Sequence, residues 1–132
     1  MTRWIVHARA AFTATHALQR YNGRAEAPHS HRWEVAVRVG ARTLGEEGYA
    51  LDFHAVRRTL EAAVAALDGS DLTAHPSIGT PTPSAENVAL HIARELGPRY
   101  GSMGGTLLSV SVWEGPENRV DLLLDDDRDG VW

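Results

Sequence analysis

Residues 33–67 read WEVAVRVGARTLGEEGYALDFHAVRRTLEAAVAAL, and the hydrophobic period changes partway along. Trp33, Val35, Val37 and Val39 share one side of an alternating run, with Glu34 and Arg38 on the other. That alternation is the pattern of a half-buried strand, and Gly40 starts its exit. From Asp52 the spacing lengthens: Phe53, Val56, Leu60, Val64 and Leu67 form one helical stripe, with Asp52 as its N-cap. A second helix follows directly. Ser84 caps it, Val88, Ile92 and Leu96 make its apolar face, and Gly97-Pro98 is expected to stop it. The loop between the helices spans Asp68 to Pro83 and carries Pro76, Gly79 and Pro81.

Outside this stretch the chain returns to strands. Trp4 to Phe12 is apolar and β-friendly, and Arg20 to Pro28 reads as a loop around the turn signal Asn22-Gly23. Leu107 to Trp113 alternates, with Leu108, Val110 and Val112 on one face, and Val120, Leu122 and Leu124 form a last short strand. The order is β-β-α-α-β-β. Two consecutive helices are not crossovers of a parallel sheet, so the expected class is α+β: an antiparallel sheet with two helices packed on one face. Residues 1–124 make one domain, and Asp125, Asp126, Asp127 and Asp129 give residues 125–132 the character of an acidic tail.

Composition narrows the chemistry. Among 132 residues there is no cysteine, and all 13 basic residues are arginine. Thiolate nucleophiles, thiolate metal ligands, disulfides and lysine Schiff bases are therefore excluded. The net charge is −4 and no basic stripe is present, which argues against a nucleic-acid partner. No apolar run reaches membrane-spanning length and no signal-peptide core opens the chain, so no membrane partner and a cytoplasmic location are expected.

The chemistry-bearing residues are histidines. His29 and His31 flank Ser30 just before the second strand, and in extended backbone residues two apart point the same way. If the first two strands pair, His16 can supply a third imidazole. Three neutral imidazoles with an open fourth position form the arrangement of a catalytic zinc site. His7, His54, His75 and His91 show no partner spacing.

Five short motifs then occur in order: Phe12-Thr13-Ala14-Thr15-His16, His29-Ser30-His31, Gly48 to Phe53, Pro83-Ser84-Ala85-Glu86-Asn87, and Trp113-Glu114. Together they resemble the 6-pyruvoyltetrahydropterin synthase / 6-carboxytetrahydropterin synthase family, whose motifs are F-x-A-x-H, H-G-H, G-x-x-x-D-F, P-[TS]-A-E-N and a glutamate ending the third strand. The resemblance implies the tunnelling fold, or T-fold. It implies His16, His29 and His31 as zinc ligands and Glu114 as the carboxylate that holds the amino-pyrimidine edge of a pterin. A carboxylate suits that edge because it accepts two parallel N–H bonds. It also implies homo-oligomers, hexamers built as dimers of trimers, with the pterin pocket between subunits.

The resemblance breaks at the proton-transfer residues. The family's catalytic cysteine falls on Ala25, and in its L-D-H-x-x-L-N segment the aspartate is kept as Asp68 while the histidine is Gly69. The usual synthase reaction is expected to be lost or very slow. A variant branch of the family places a glutamate in E-x-x-H-G-H instead of the cysteine and cleaves the side chain of dihydroneopterin triphosphate; Glu26, three residues before His29, matches that position. Three readings follow: a pterin-binding homologue without the usual chemistry, a zinc-dependent side-chain lyase with Glu26 as base, and a non-catalytic structural or interaction oligomer.

Overall fold

The computed structural model describes residues 3–18 and 22–124. The elements are β1 (Trp4–His16), β2 (His29–Ala41), α1 (Phe53–Ala65), a short 3-10 turn (Leu72–Ala74), α2 (Ala85–Ser102), β3 (Thr106–Glu114) and β4 (Asn118–Leu123). The strands form one antiparallel sheet in the order β1-β2-β3-β4, and both helices pack on one face. This is the β-β-α-α-β-β T-fold expected from the period changes. Residues 125–132, where the acidic tail was expected, lie outside the described residues, as do residues 20 and 21 of the expected loop.

Alternation sorts each strand. Val6, Ala8, Phe12 and Ala14 of β1, Trp33, Val35, Val37 and Val39 of β2, and Val110 and Val112 of β3 face the helices and are buried. Val56, Leu60, Val64 and Leu67 meet them from the α1 region, and Val88, Ile92, Leu96 and Tyr100 from α2. Each such side chain contributes about 1.5–3 kcal/mol on burial. The opposite face is polar. Glu34 accepts from Arg9 and Arg32, whose guanidiniums hold its carboxyl below the ordinary range. Arg9 and Arg119 lie over the Trp113 ring at 4.7 and 5.2 Å. Hydrogen bonds from Arg119 and Ser111 bring the Asp121 carboxyl down to about 2.

Several expected boundaries are corrected. Strand β1 runs on to His16 and β2 begins at His29, because the two pair continuously from Trp4↔Ala41 to His16↔His29. Phe53 is not part of the core stripe; it stands 71% exposed in the first turn of α1. Gly97-Pro98 does not stop α2, which continues to Ser102. A proline inside a helix costs about 3 kcal/mol. Here the extra turn buries Tyr100 completely and lets its hydroxyl donate to the Val56 carbonyl at 2.9 Å. Burial pushes that phenol's pKa up. The helix ends instead at Ser102, and the chain leaves it through Met103 and Gly104, whose φ of 84° few other residues adopt.

The loop after the 3-10 turn folds back tightly on itself. A Cβ on Gly79 would stand 2.1 Å from the Thr73 carbonyl oxygen. The Thr73 hydroxyl in turn accepts the Ala17 N–H at 3.1 Å, next to His16. Gly79→Ala is therefore expected to destabilise the protein by about 1–3 kcal/mol, lowering Tm by roughly 5 °C or more in a thermal melt. An unchanged Tm would show that this loop yields freely.

Candidate metal centre

The register that extends β1 and β2 also builds the site. His16 lies opposite His29, and Ala14 opposite His31. Trp33 lies opposite Glu114 of β3. Because residues two apart share a face, His29 and His31 point with Trp33 toward the helices. His16 joins them from β1 and Glu114 from β3. Four donors thus meet where the ends of three strands come together.

Their ligand atoms lie within 4.8 Å of one another. The Nε2 atoms of His16, His31 and His29 stand 3.0, 3.2 and 3.8 Å from Glu114 Oε1. The rings are edge-on, with centroids 4.6 Å apart for His16–His29 and 4.4 Å for His29–His31. Trp33 supports them, its ring 4.8 Å from His16 and 6.4 Å from His31.

The far ring nitrogens are held by carbonyls. His16 Nδ1 donates to Pro83 O at 2.8 Å, and His29 Nδ1 donates to Ala27 O at 3.1 Å. A hydrogen on Nδ1 leaves a lone pair on Nε2, the tautomer that binds a metal. Pro83 O is placed by the start of α2. Ser84 Oγ accepts the Asn87 N–H at 3.1 Å, and Asn87 Nδ2 donates to Thr82 O at 2.7 Å. The Pro-Ser-Ala-Glu-Asn segment thereby fixes the orientation of His16, the only fully buried member of the set. Three imidazoles, two of them with carbonyl-held outer nitrogens, and one carboxylate fit a divalent cation such as zinc.

The other residues singled out in the sequence fall around this centre. Glu26 is beside it but not a donor: its Oε1 accepts the Leu18 N–H at 3.1 Å and lies 3.6 Å from His29 Nδ1. Asp68 is not brought to the histidines. Its Oδ1 accepts the Thr13 N–H at 2.9 Å, and residues 68–71 run along the outer edge of β1. Gly69, with φ of 74°, is in a backbone conformation a histidine adopts only with strain. Ala25 is exposed in the β1–β2 connection. Ser30, between His29 and His31 on β2, lines a cavity of about 600 Å³ together with Arg9, His31, Arg32, Glu34 and Trp113.

A second cavity, about 510 Å³, opens on Glu114 between the start of α2 and the β3–β4 turn, lined also by Leu18, Thr82, Glu86, Glu117 and Arg119. Three carboxylates on its wall favour a ligand edge rich in N–H donors. Sequence reading missed Glu117, which sits in a turn with no periodic signal, and missed Glu86 despite its place in a recognised motif. It also missed the contact of His75 with His91, whose rings meet edge-on at 4.8 Å although no spacing links them.

Residues 5–123 match the family profile described as 6-pyruvoyl tetrahydropterin synthase. No curated protein matches the chain significantly. Among solved structures it is similar to 6-pyruvoyl tetrahydropterin synthase of Caenorhabditis elegans, with TM-score 0.75, 16% identity and coverage of 95% of this chain and 98% of that one. An uncharacterized protein of Wolinella succinogenes gives TM-score 0.77 at 15% identity, covering 95% and 100%. A Plasmodium vivax 6-pyruvoyltetrahydropterin synthase in which a catalytic glutamate is replaced by alanine gives TM-score 0.72 at 14% identity, covering 92% and 98%. At these identities the structural likeness establishes the fold alone.

Proposed function

Because the chain belongs to the 6-pyruvoyl tetrahydropterin synthase family, we propose that it binds a pterin-like small molecule at a zinc centre held by His16, His29 and His31, and that it does not carry out the usual synthase reaction. One contrast carries this reading. The three imidazoles converge with Glu114, while Ala25 and Gly69 supply no titratable side chain where the family has its cysteine and histidine. Zinc bound there would polarise a substrate hydroxyl or carbonyl. The chain's own part is to hold that centre, to offer carboxylates to the ligand's N–H edge, and to enclose both beside Trp33. Without a positioned acid and base, a contribution of typically 10²–10⁴-fold is missing.

The protein is further proposed to be a cytoplasmic homo-oligomer, a hexamer formed as a dimer of trimers. Two features support association. Among the described residues, no strand pairs with the outer side of β4, and residues 68–71 cover the outer edge of β1 only near Thr13 and Thr15, so the rest of both sheet edges is available to another copy. The position of Asp68 on the outer edge of β1, away from the histidines of its own subunit, supports a role between copies in this reading. No helix among the described residues is long and apolar enough to cross a membrane.

A second reading has its own support: Glu26 lies 3.6 Å from His29 Nδ1, and the Plasmodium vivax relative is named for a catalytic glutamate. In that reading Glu26 is the base of a side-chain lyase. The two separate in one assay, in which zinc-supplemented protein is incubated with dihydroneopterin triphosphate and the pterins are identified by mass spectrometry. Unchanged substrate, with pterin binding seen by fluorescence titration, is the expected result. A 6-hydroxymethyl product that falls about 10²–10⁴-fold in Glu26→Ala would instead establish the lyase. Absence of any pterin binding by the assembled protein would sink both.

A further inference from the structure

Glu114 faces two demands that one carboxylate cannot meet together. Holding the paired N–H edge of a pterin takes both of its oxygens. In the structure, however, Oε1 is turned into the imidazole cluster, 3.0, 3.2 and 3.8 Å from the three Nε2 atoms. The Nδ1 atoms of His16 and His29 are turned outward to Pro83 O and Ala27 O, so their Nε2 atoms and Glu114 Oε1 are arranged around one point. The spacing suits a metal: a tetrahedron with bonds of 2.0–2.1 Å has edges of about 3.3–3.4 Å, and the three separations bracket that length. The widest spacing within the set reaches up to 4.8 Å, so some of the rings would draw in on binding.

We propose that Glu114 is the fourth metal ligand of the resting protein, and that a ligand with a paired N–H edge opens the metal by drawing this carboxylate away. Four protein donors close a site, whereas a catalytic metal needs a free position. Glu114 is suited to exchange because its side chain is 27% exposed and lines the roughly 510 Å³ cavity in which such a ligand would sit. The metal–oxygen bond breaks as two N–H···O bonds form, so the open position is created only when ligand is present. This coupling rests on the pterin-binding reading above.

Cobalt(II) in place of zinc in the full-length, assembled protein makes the fourth position visible by absorption, with thiocyanate as the probe of an open site and pterin as the ligand. The wild-type spectrum is expected to ignore thiocyanate until pterin is added and to respond afterwards. Glu114→Gln is expected to respond without pterin and to bind metal at least about 10–100-fold more weakly, the loss that even outer-shell changes cause. A wild-type spectrum that responds to thiocyanate before pterin, or a Glu114→Gln protein with unaltered spectrum and affinity, overturns the ligand role. Pterin binding, seen by fluorescence, that leaves the cobalt closed overturns the release alone. No pterin binding at all overturns the release together with the pterin-binding reading.

Discussion

His16→Ala is expected to abolish metal loading and to weaken the fold at the same time, a combination that the other two histidines do not share. His16 is fully buried and has both ring nitrogens engaged, with Pro83 O at 2.8 Å and Glu114 Oε1 at 3.0 Å. Removing the ring leaves a cavity beside Trp33 and a buried carbonyl without its donor, at a cost of about 2–5 kcal/mol for changes of this kind. The loss of a direct ligand should lower zinc affinity by more than the 10–100-fold typical of outer-shell changes. His29 is different because its side chain remains 32% exposed. His29→Ala should lose metal comparably but cost only about 1 kcal/mol of stability. Competition against a chromophoric chelator, with urea unfolding of the metal-free proteins, separates the two effects. Wild-type zinc affinity in His16→Ala would mean that these imidazoles are not a metal set.

The fold was legible in the sequence because hydrophobic period is a local signal with a direct structural meaning. Trp33, Val35, Val37 and Val39 alternate and are all fully buried. Val56, Leu60 and Val64 keep the helical spacing and face the same core. The errors lie where tertiary contacts override local preference. Pro98 should end a helix, but Tyr100 beyond it finds a buried pocket and the Val56 carbonyl. Phe53 has the spacing of a core residue but falls at the first turn of α1, where no element covers it. The histidine set was legible through the i, i+2 rule and strand pairing. The arrangement around it was not. Nothing in the sequence shows that Glu114 meets Trp33 across the sheet, that Pro83 O holds His16, or that Asp68 is used up on the edge of β1. Those facts depend on register and on the return of a loop, which no single segment encodes.

Register also makes Trp33 the residue on which fold and site depend jointly. It is fully buried, stacks on Phe12 with centroids 5.9 Å apart, and donates from Nε1 to Ala14 O at 3.3 Å. It also forms the wall against which His16 and His31 rest. Trp33→Ala should cost about 3–5 kcal/mol, a large share of the roughly 5–15 kcal/mol that holds a domain of this size together. Zinc can restore only part of that. Metal binding to the native state at 100 times its Kd adds about 2.7 kcal/mol, and the variant's own Kd is weakened because two of its imidazoles have lost their support. Trp33→Phe keeps the stack on Phe12 and most of the wall, and gives up the hydrogen bond to Ala14, worth about 1 kcal/mol. The expected order in urea unfolding is therefore wild type, then Trp33→Phe, then Trp33→Ala well below both, with added zinc narrowing the gap without closing it. If zinc returned Trp33→Ala fully to wild-type stability, the histidines would be positioned by strand register alone and the indole would serve only the core.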